Sequence, residues 1–378
     1  MSTTKKKLKY AIVGTSDSLI SEIIESFSLN SQTHQLVALF DDSLLFAKKL
    51  AKKYQIPYVF SLMDLADEIP LLEIDVLYIA QSSCLDAELI QLIDRYKLHF
   101  ICESPLYLTL KQTTELQSIM QKNQRRSMIA YHFLFDENVS KIRQNINQFL
   151  IGNLKFINSI FNYAIKDENS KRISFYGART PFYRIGMQCI QLARFLYSDE
   201  PYHVGAFSTT HDNPKYINIE DTTCVIMRFS HDRLAAFTIS FGSFESSDFE
   251  ILGDAGRIRC ENAYNTKKVS YVNIQTKTRN SLASKDLVFN PRHHFKEEVD
   301  LFSKHILTSS SLQMNTLSDA IQNMKILDAL IDAINLKKQI TINPDGSFRP
   351  YDIPNIVGQT KMRQRKIQFE IDRIKTKE

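Results

Sequence analysis

A chain of 378 residues is long for one compact core and suits two domains. Its 43% hydrophobic and 24% charged residues are those of a globular protein, and no apolar run reaches the ~20 residues of a membrane span. A net charge of +5 is too small to make nucleic acid the expected partner.

Leu8–Val13 is a short apolar run entering Gly14, and residues 19–27 follow with helical periodicity. Residues 36–40 read as a second buried strand ending at Asp41-Asp42. Residues 43–54 read as a helix with Leu44, Leu45, Ala47, Leu50 and Ala51 on its apolar side. A third strand is expected over 75–80, a third helix over 85–97 and a fourth strand over 100–102. This alternation predicts a parallel sheet with right-handed crossovers, which residues 109–122 and 128–133 complete.

Beyond residue 150 the pattern changes to longer strand-like runs at 154–163, 224–229, 234–241, 248–252, 257–260 and 269–274. Strands joined by turns argue for a mostly antiparallel sheet. Residues 182–197 are expected to be the main helix of this domain, and His294–Leu307 and Leu317–Leu336 are helices near the end. The fold class expected is therefore α/β plus α+β: an N-terminal Rossmann-type parallel sheet and a C-terminal, mostly antiparallel sheet domain. The segments are 1–127, 128–345 and a basic extension, 346–378. Its last residues, 361–378, hold seven basic against three acidic side chains, a net of +4, read as solvated charge. Ile367, Ile371 and Ile374 fall there at helical spacing, which suits a docked terminal helix or a partner-binding one.

The five cysteines (Cys84, Cys102, Cys189, Cys224, Cys260) are odd in number and form no Cys-x-x-Cys pair. That pattern reads as free, mostly buried thiols in a reducing compartment, and places the protein in the cytoplasm. His293-His294 precede a helix and read as capping or solvated residues; no metal site is expected. Glycine numbers ten, where about 7% average usage would give roughly 26.

Several strings carry a resemblance. Glu103-Ser104-Pro105 ends the fourth strand, and Ile79-Ala80-Gln81-Ser82 ends the third. Gly152-Asn153-Leu154 opens the second domain, and Gly253-Asp254-Ala255-Gly256 forms a hairpin turn within it. In order and spacing, from Lys9 to Ile342, the chain resembles the Gfo/Idh/MocA oxidoreductases. The resemblance implies a nicotinamide cofactor, sugar or cyclitol substrates and a homodimer through the open face of the second sheet. It also implies site residues, and here the chain departs from the family.

The family's glycine-rich turn corresponds to Gly14-Thr15-Ser16-Asp17-Ser18-Leu19, where only the first glycine remains. Ser16 places a Cβ where pyrophosphate usually meets bare backbone. An ordinary strand-turn-helix is the alternative reading. Asp41 suits a ribose diol, and Asp41-Asp42 would repel a 2′-phosphate, so NAD is expected over NADP; a solvated turn carboxylate is the alternative. Gln81 and Ser82 stand where the family has Thr-Pro, and Asp86 where it has His.

The family's Glu-Lys-Pro turn, whose lysine assists hydride transfer, becomes Glu103-Ser104-Pro105. A hydroxyl replaces neither the charge nor the three donors of an ammonium. The family's Asp-x-x-x-His pair becomes Arg184 and Gln188, whose i,i+4 spacing puts both on one helix face. Gln188 cannot titrate, and Arg184 suits clamping an anion or lining a polar seam. Tyr176, Tyr183 and His203 are the substitute acids, or else packed aromatics and a surface histidine. Two functions follow: an NAD-binding oxidoreductase-family protein with a small polyol or sugar-like ligand, in which Glu103, Ser104, Arg184 and Gln188 hold the catalytic positions and Gly14, Ser16, Asp41, Gln81, Ser82, Glu103 and Pro105 line the cofactor; or a catalytically inactive scaffold for regulation or protein contacts.

Overall fold

Near-continuous apolar strands need cover on both faces, and the first half of the chain supplies it with amphipathic helices. A computed structural model describes residues 7–15, 19–28, 31–162, 182–210, 220–265, 267–277, 281–291, 294–310, 315–343 and 347–350. Six strands, β1 (Leu8–Val13), β2 (His34–Phe40), β3 (Tyr58–Phe60), β4 (Val76–Ile79), β5 (His99–Glu103) and β6 (Ser127–Ala130), form a parallel sheet in the order β3-β2-β1-β4-β5-β6. The helices between them are α1 (Ile20–Ser28), α2 (Leu44–Tyr54), α3 (Leu65–Leu72), α4 (Ala87–Tyr96) and α5 (Leu110–Lys122). Strand order reverses between β1 and β4, which opens a crevice at the carboxyl ends of the strands.

Two elements here escape the periodicity. β3 is a three-residue edge strand, too short to show a pattern. α3 carries Pro70, which removes an amide and frees the carbonyl of Ala66; the Tyr96 hydroxyl donates to that carbonyl at 2.7 Å. Leu44 and Leu45, expected on the apolar side of α2, are 36% and 73% exposed. They sit in its first turn; Ala47, Leu50 and Ala51 make the buried stripe.

α6 (Glu137–Asn147) leads into a ten-stranded, mostly antiparallel sheet. Its strands are β7 (Leu154–Asn162), β8 (His203–Thr210), β9 (Glu220–Phe229), β10 (Arg233–Ser240), β11 (Ser246–Gly253), β12 (Gly256–Glu261), β13 (Ser270–Lys277), β14 (Leu282–Phe289), β15 (Ile340–Ile342) and β16 (Phe348–Pro350). Only β7 and β10 pair in parallel among the described residues. The two glycine turns read from the sequence lock together at the start of this sheet. Gly152 has φ +74°, and a Cβ there would lie 2.0 Å from Asp254 Oδ1, which accepts the Asn153 amide at 2.9 Å.

α7 (Met187–Tyr197) and α9 (Leu317–Leu336) cover one face of the large sheet, and Phe207, Ile226 and Tyr271 stand exposed on its strands. α8 (His294–Leu307) goes elsewhere: Phe295, Val299 and Phe302 pack with Tyr10, Ile12, Tyr78, Ile101 and Met128 of the parallel sheet. β6 too belongs to that sheet, so the first unit takes in strand Ser127–Ala130, past residue 127, and recruits a helix from far down the chain. No helix among the described residues is long and apolar enough to cross a membrane.

Candidate functional site

The site is built at the carboxyl edge of the parallel sheet, beside the reversal of strand order. β1 ends in Gly14 at φ +82°, and a Cβ there would lie 2.5 Å from Gln81 Cβ. Glycine is therefore required twice over, by backbone conformation and by the close approach of the chain leaving β4. Asp41, at the end of β2, is buried, and its carboxylate is already engaged. Oδ2 accepts from the Thr15 amide at 2.5 Å and the Thr15 hydroxyl at 2.8 Å, and Oδ1 from the Ser43 amide at 2.6 Å. This corrects the picture of Asp41 as a solvated turn carboxylate: it clasps the first turn, holding one amide of that turn itself. Ser16 and Asp17 lie outside the described residues.

The chain leaving β4 runs through a short 3-10 turn, Ser82–Cys84. Gln81 Nε2 donates to Ser83 Oγ at 2.9 Å, while Ser82 is buried. Asp86 caps α4 by accepting the Leu89 amide at 2.9 Å. Its role here is a helix start.

β5 ends in the Glu103-Ser104-Pro105 turn, with a cis Ser104–Pro105 peptide. Glu103 and Ser104 differ sharply in their partners. Glu103 is buried; Oε1 accepts from the Tyr78 hydroxyl at 2.7 Å, and Oε2 lies 2.7 Å from His132 Nε2. His132 Nδ1 lies 2.8 Å from Oε2 of Glu298, a fully buried carboxylate on α8. Ser104 Oγ is buried and makes no hydrogen bond. Just beyond, the carbonyl of Leu106 accepts from the Tyr183 hydroxyl at 3.0 Å, which brings the second unit's helix against the turn.

Burial opposes charge on His132, yet the carboxylates and hydrogen bonds of Glu103 and Glu298 outweigh it and hold the ring's pKa well above its ordinary value. Burial raises Glu298, with His132 pulling the other way. Burial also lifts nearby Asp136 to about 7, against the pull of His132 and with the push of Glu297. Tyr78 is pushed far up by burial, then by Glu103 and Glu298. Neither His132 nor Glu298 stood out in the sequence. His132 follows a buried strand as an ordinary turn residue, and Glu298 reads as one more acid on an amphipathic helix. A buried acid three residues past a phenylalanine that joins the core was the available signal.

The helix facing the turn begins with one π-helical turn, Phe182–Gly186, before α7. The same-face geometry expected for positions 184 and 188 assumed α-helical spacing, which a wider turn does not keep. Gln188 is half-buried; the side chain of Arg184 and all of Tyr176 lie outside the described residues. Tyr183 is buried and committed to Leu106, and His203 sits on β8 beside β15, opposite Thr341, not at the turn. His294 is buried against His132 and Phe295, which corrects its reading as a capping or solvated residue. No group of three His, Cys, Asp or Glu side chains among the described residues is arranged to hold a metal.

A six-stranded parallel sheet whose strand order reverses between β1 and β4, joined to a large antiparallel sheet, defines a Rossmann-type class of two-sheet proteins. Residues 8–131 match the family described as "Oxidoreductase family, NAD-binding Rossmann fold", and residues 139–259 match "GFO/IDH/MocA C-terminal domain". The chain belongs to the Gfo/Idh/MocA oxidoreductase family. The trans-1,2-dihydrobenzene-1,2-diol dehydrogenase of Danio rerio is 24% identical over 61% of this chain and 68% of its own. In fold, the chain is similar to the aldose-aldose oxidoreductase of Caulobacter crescentus, with a TM-score of 0.79, 20% identity, and coverage of 89% of this chain and 100% of the other. It is also similar to an oxidoreductase of Agrobacterium radiobacter solved with NAD+, L-tartaric acid and magnesium, with a TM-score of 0.73, 15% identity, and coverage of 89% and 98%.

Proposed function

We propose that this protein binds NAD in preference to NADP at the carboxyl edge of the parallel sheet, together with a small polyol or sugar-like ligand, without the acid–base chemistry usual in its family. The observation that carries the reading is Ser104 Oγ, a buried hydroxyl with no protein partner at the turn beside the crevice. A buried polar atom left unpaired is costly, and a ligand hydroxyl or amide supplies what it lacks. Gly14, with its positive φ, keeps the backbone shape a dinucleotide needs, and the acidic pair Asp41-Asp42 disfavours a 2′-phosphate. Relatives of the same fold were solved with NAD+ and L-tartaric acid, or with glycerol, which fits a polyhydroxylated ligand.

NAD, when bound, supplies a hydride acceptor. The chain's own residues then bind and orient: Ser104 donates or accepts one hydrogen bond, and Gln81 and Ser82 offer others. None of Ser104, Gln81, Ser82 or Gln188 titrates near neutral pH, so none removes a substrate proton as a general base. That absence favours a second reading, a catalytically inactive scaffold acting through protein contacts. Its surface is the open face of the large sheet, where Phe207 is 81% and Ile226 45% exposed, and a second copy of the chain is the partner proposed. Three of the five cysteines are buried free thiols and Cys84 is partly covered, which suits a reducing, cytoplasmic setting.

A nucleotide titration tests the first reading. NAD at tenfold excess over its Kd should stabilise the fold by roughly 1.4 kcal/mol, seen as a rise in Tm, with NADP weaker. No response to millimolar NAD or NADH in calorimetry and thermal unfolding would leave the scaffold reading.

A further inference from the structure

One buried constellation has no place in the nucleotide reading. His132 stands two residues past the end of the parallel sheet's last strand, β6, in the 3-10 turn His132–Phe135, with only 15% of its side chain exposed. Each ring nitrogen faces a carboxylate oxygen, Nε2 at 2.7 Å from Glu103 and Nδ1 at 2.8 Å from Glu298. A neutral imidazole has one donor and one acceptor nitrogen, so it cannot donate to both. A doubly protonated ring satisfies both carboxylates, and this is the pairing that makes a buried charge tolerable.

The groups around the ring come from every element packed on it. β5 supplies Glu103, β4 the Tyr78 hydroxyl behind Glu103, α8 supplies Glu298, His294 and Phe295, and the turn itself supplies Asp136. The neighbouring residue, Tyr131, sends its side chain into a separate network: its hydroxyl accepts from Asn323 of α9, which also donates to Gln191 of α7 and accepts from Arg194. Two consecutive residues therefore tie β6 to α8 on one side and to the α7–α9 pair on the other.

We propose that His132 is a positioning residue, a cation fixed between Glu103 and Glu298 that pins the Glu103-Ser104-Pro105 turn to α8. It acts through Glu103 and orients Ser104. In its effect on a bound nucleotide the inference rests on the function proposed above; the clamp itself does not. The ring's folded pKa is raised above its free value of about 6.5. Its stabilisation is thus complete below that pH and is lost only as pH climbs through the raised value.

Nitrogen-15 spectra of the histidine rings in the full chain test the charge. One ring should stay protonated on both nitrogens from pH 6 to 8.5, and that signal should vanish in His132→Asn. Rings that are all neutral at pH 8 would overturn the proposal. Amide hydrogen exchange at Ser104 and Leu106 tests the positioning and needs no ligand. Exchange should quicken at least tenfold in His132→Asn and in the gentler Glu298→Gln, with no further gain in the double variant. Wild-type exchange in Glu298→Gln, or fully additive effects, would also overturn it. In a third arm, NAD affinity should fall about tenfold in Glu298→Gln. If the unaltered chain binds no NAD, the nucleotide reading fails alone, and the ring and exchange results still decide the clamp.

Discussion

The turns after β1 and β5 lie at the same edge of one sheet and are built in opposite ways. At the first, Thr15 is wholly buried and Asp41 takes up its amide and hydroxyl, so both are satisfied within the protein. At the second, Glu103 is fully engaged below while the Ser104 hydroxyl has no protein partner. Polar satisfaction thus separates the two turns: the first has its buried polar groups paired, and the second leaves one hydroxyl unpaired. Asp41 belongs with the scaffold as much as with any ribose, and Ser104 does not.

Breaking the first turn should cost most. Gly14→Ala forces an alanine to φ +82° and sets its Cβ 2.5 Å from Gln81 Cβ, so urea unfolding should show a loss of about 3 kcal/mol or more. A loss below about 1 kcal/mol would mean that the Gln81 segment yields easily. Asp41→Ala should come next. It strands the Thr15 and Ser43 amides and should destabilise by about 2–3 kcal/mol whether or not a nucleotide is present. Ser104→Ala should barely move stability, within about 0.5 kcal/mol or slightly upward, because it removes an unpaired buried hydroxyl. The same change should weaken NAD binding severalfold. Equal losses of stability at Asp41 and Ser104 would erase the contrast between the turns.

Much of this was legible in the chain. The apolar runs at Leu8–Val13 and 36–40 and the helices His294–Leu307 and Leu317–Leu336 follow from periodicity alone, because burial on one face repeats at fixed spacing. The strand ends at Gly14, Asp41 and Glu103 were legible because the apolar runs stop there, and the resemblance to the family singled those residues out. The edge strand β3 was too short to register, and α3 was hidden by Pro70, whose freed carbonyl is rescued only by Tyr96 from another helix. The wider first turn at Phe182–Gly186 likewise has no signature in residue spacing.

The amino-acid sequence by itself determined the two-sheet architecture and the family. Those are matters of residue type and local period. Tertiary structure alone decided which polar groups meet. His132 and Glu298 stand 166 positions apart, and Thr15 and Asp41 26 apart, with nothing in either neighbourhood to name the other. A hydrogen bond selects its partner by distance and direction in space, and only the packing of α8 onto the parallel sheet and the pairing of β2 with β1 set those. Ser104 shows both halves at once: its identity is read from the chain, and the burial of its hydroxyl without a partner among the described residues is read only from the fold.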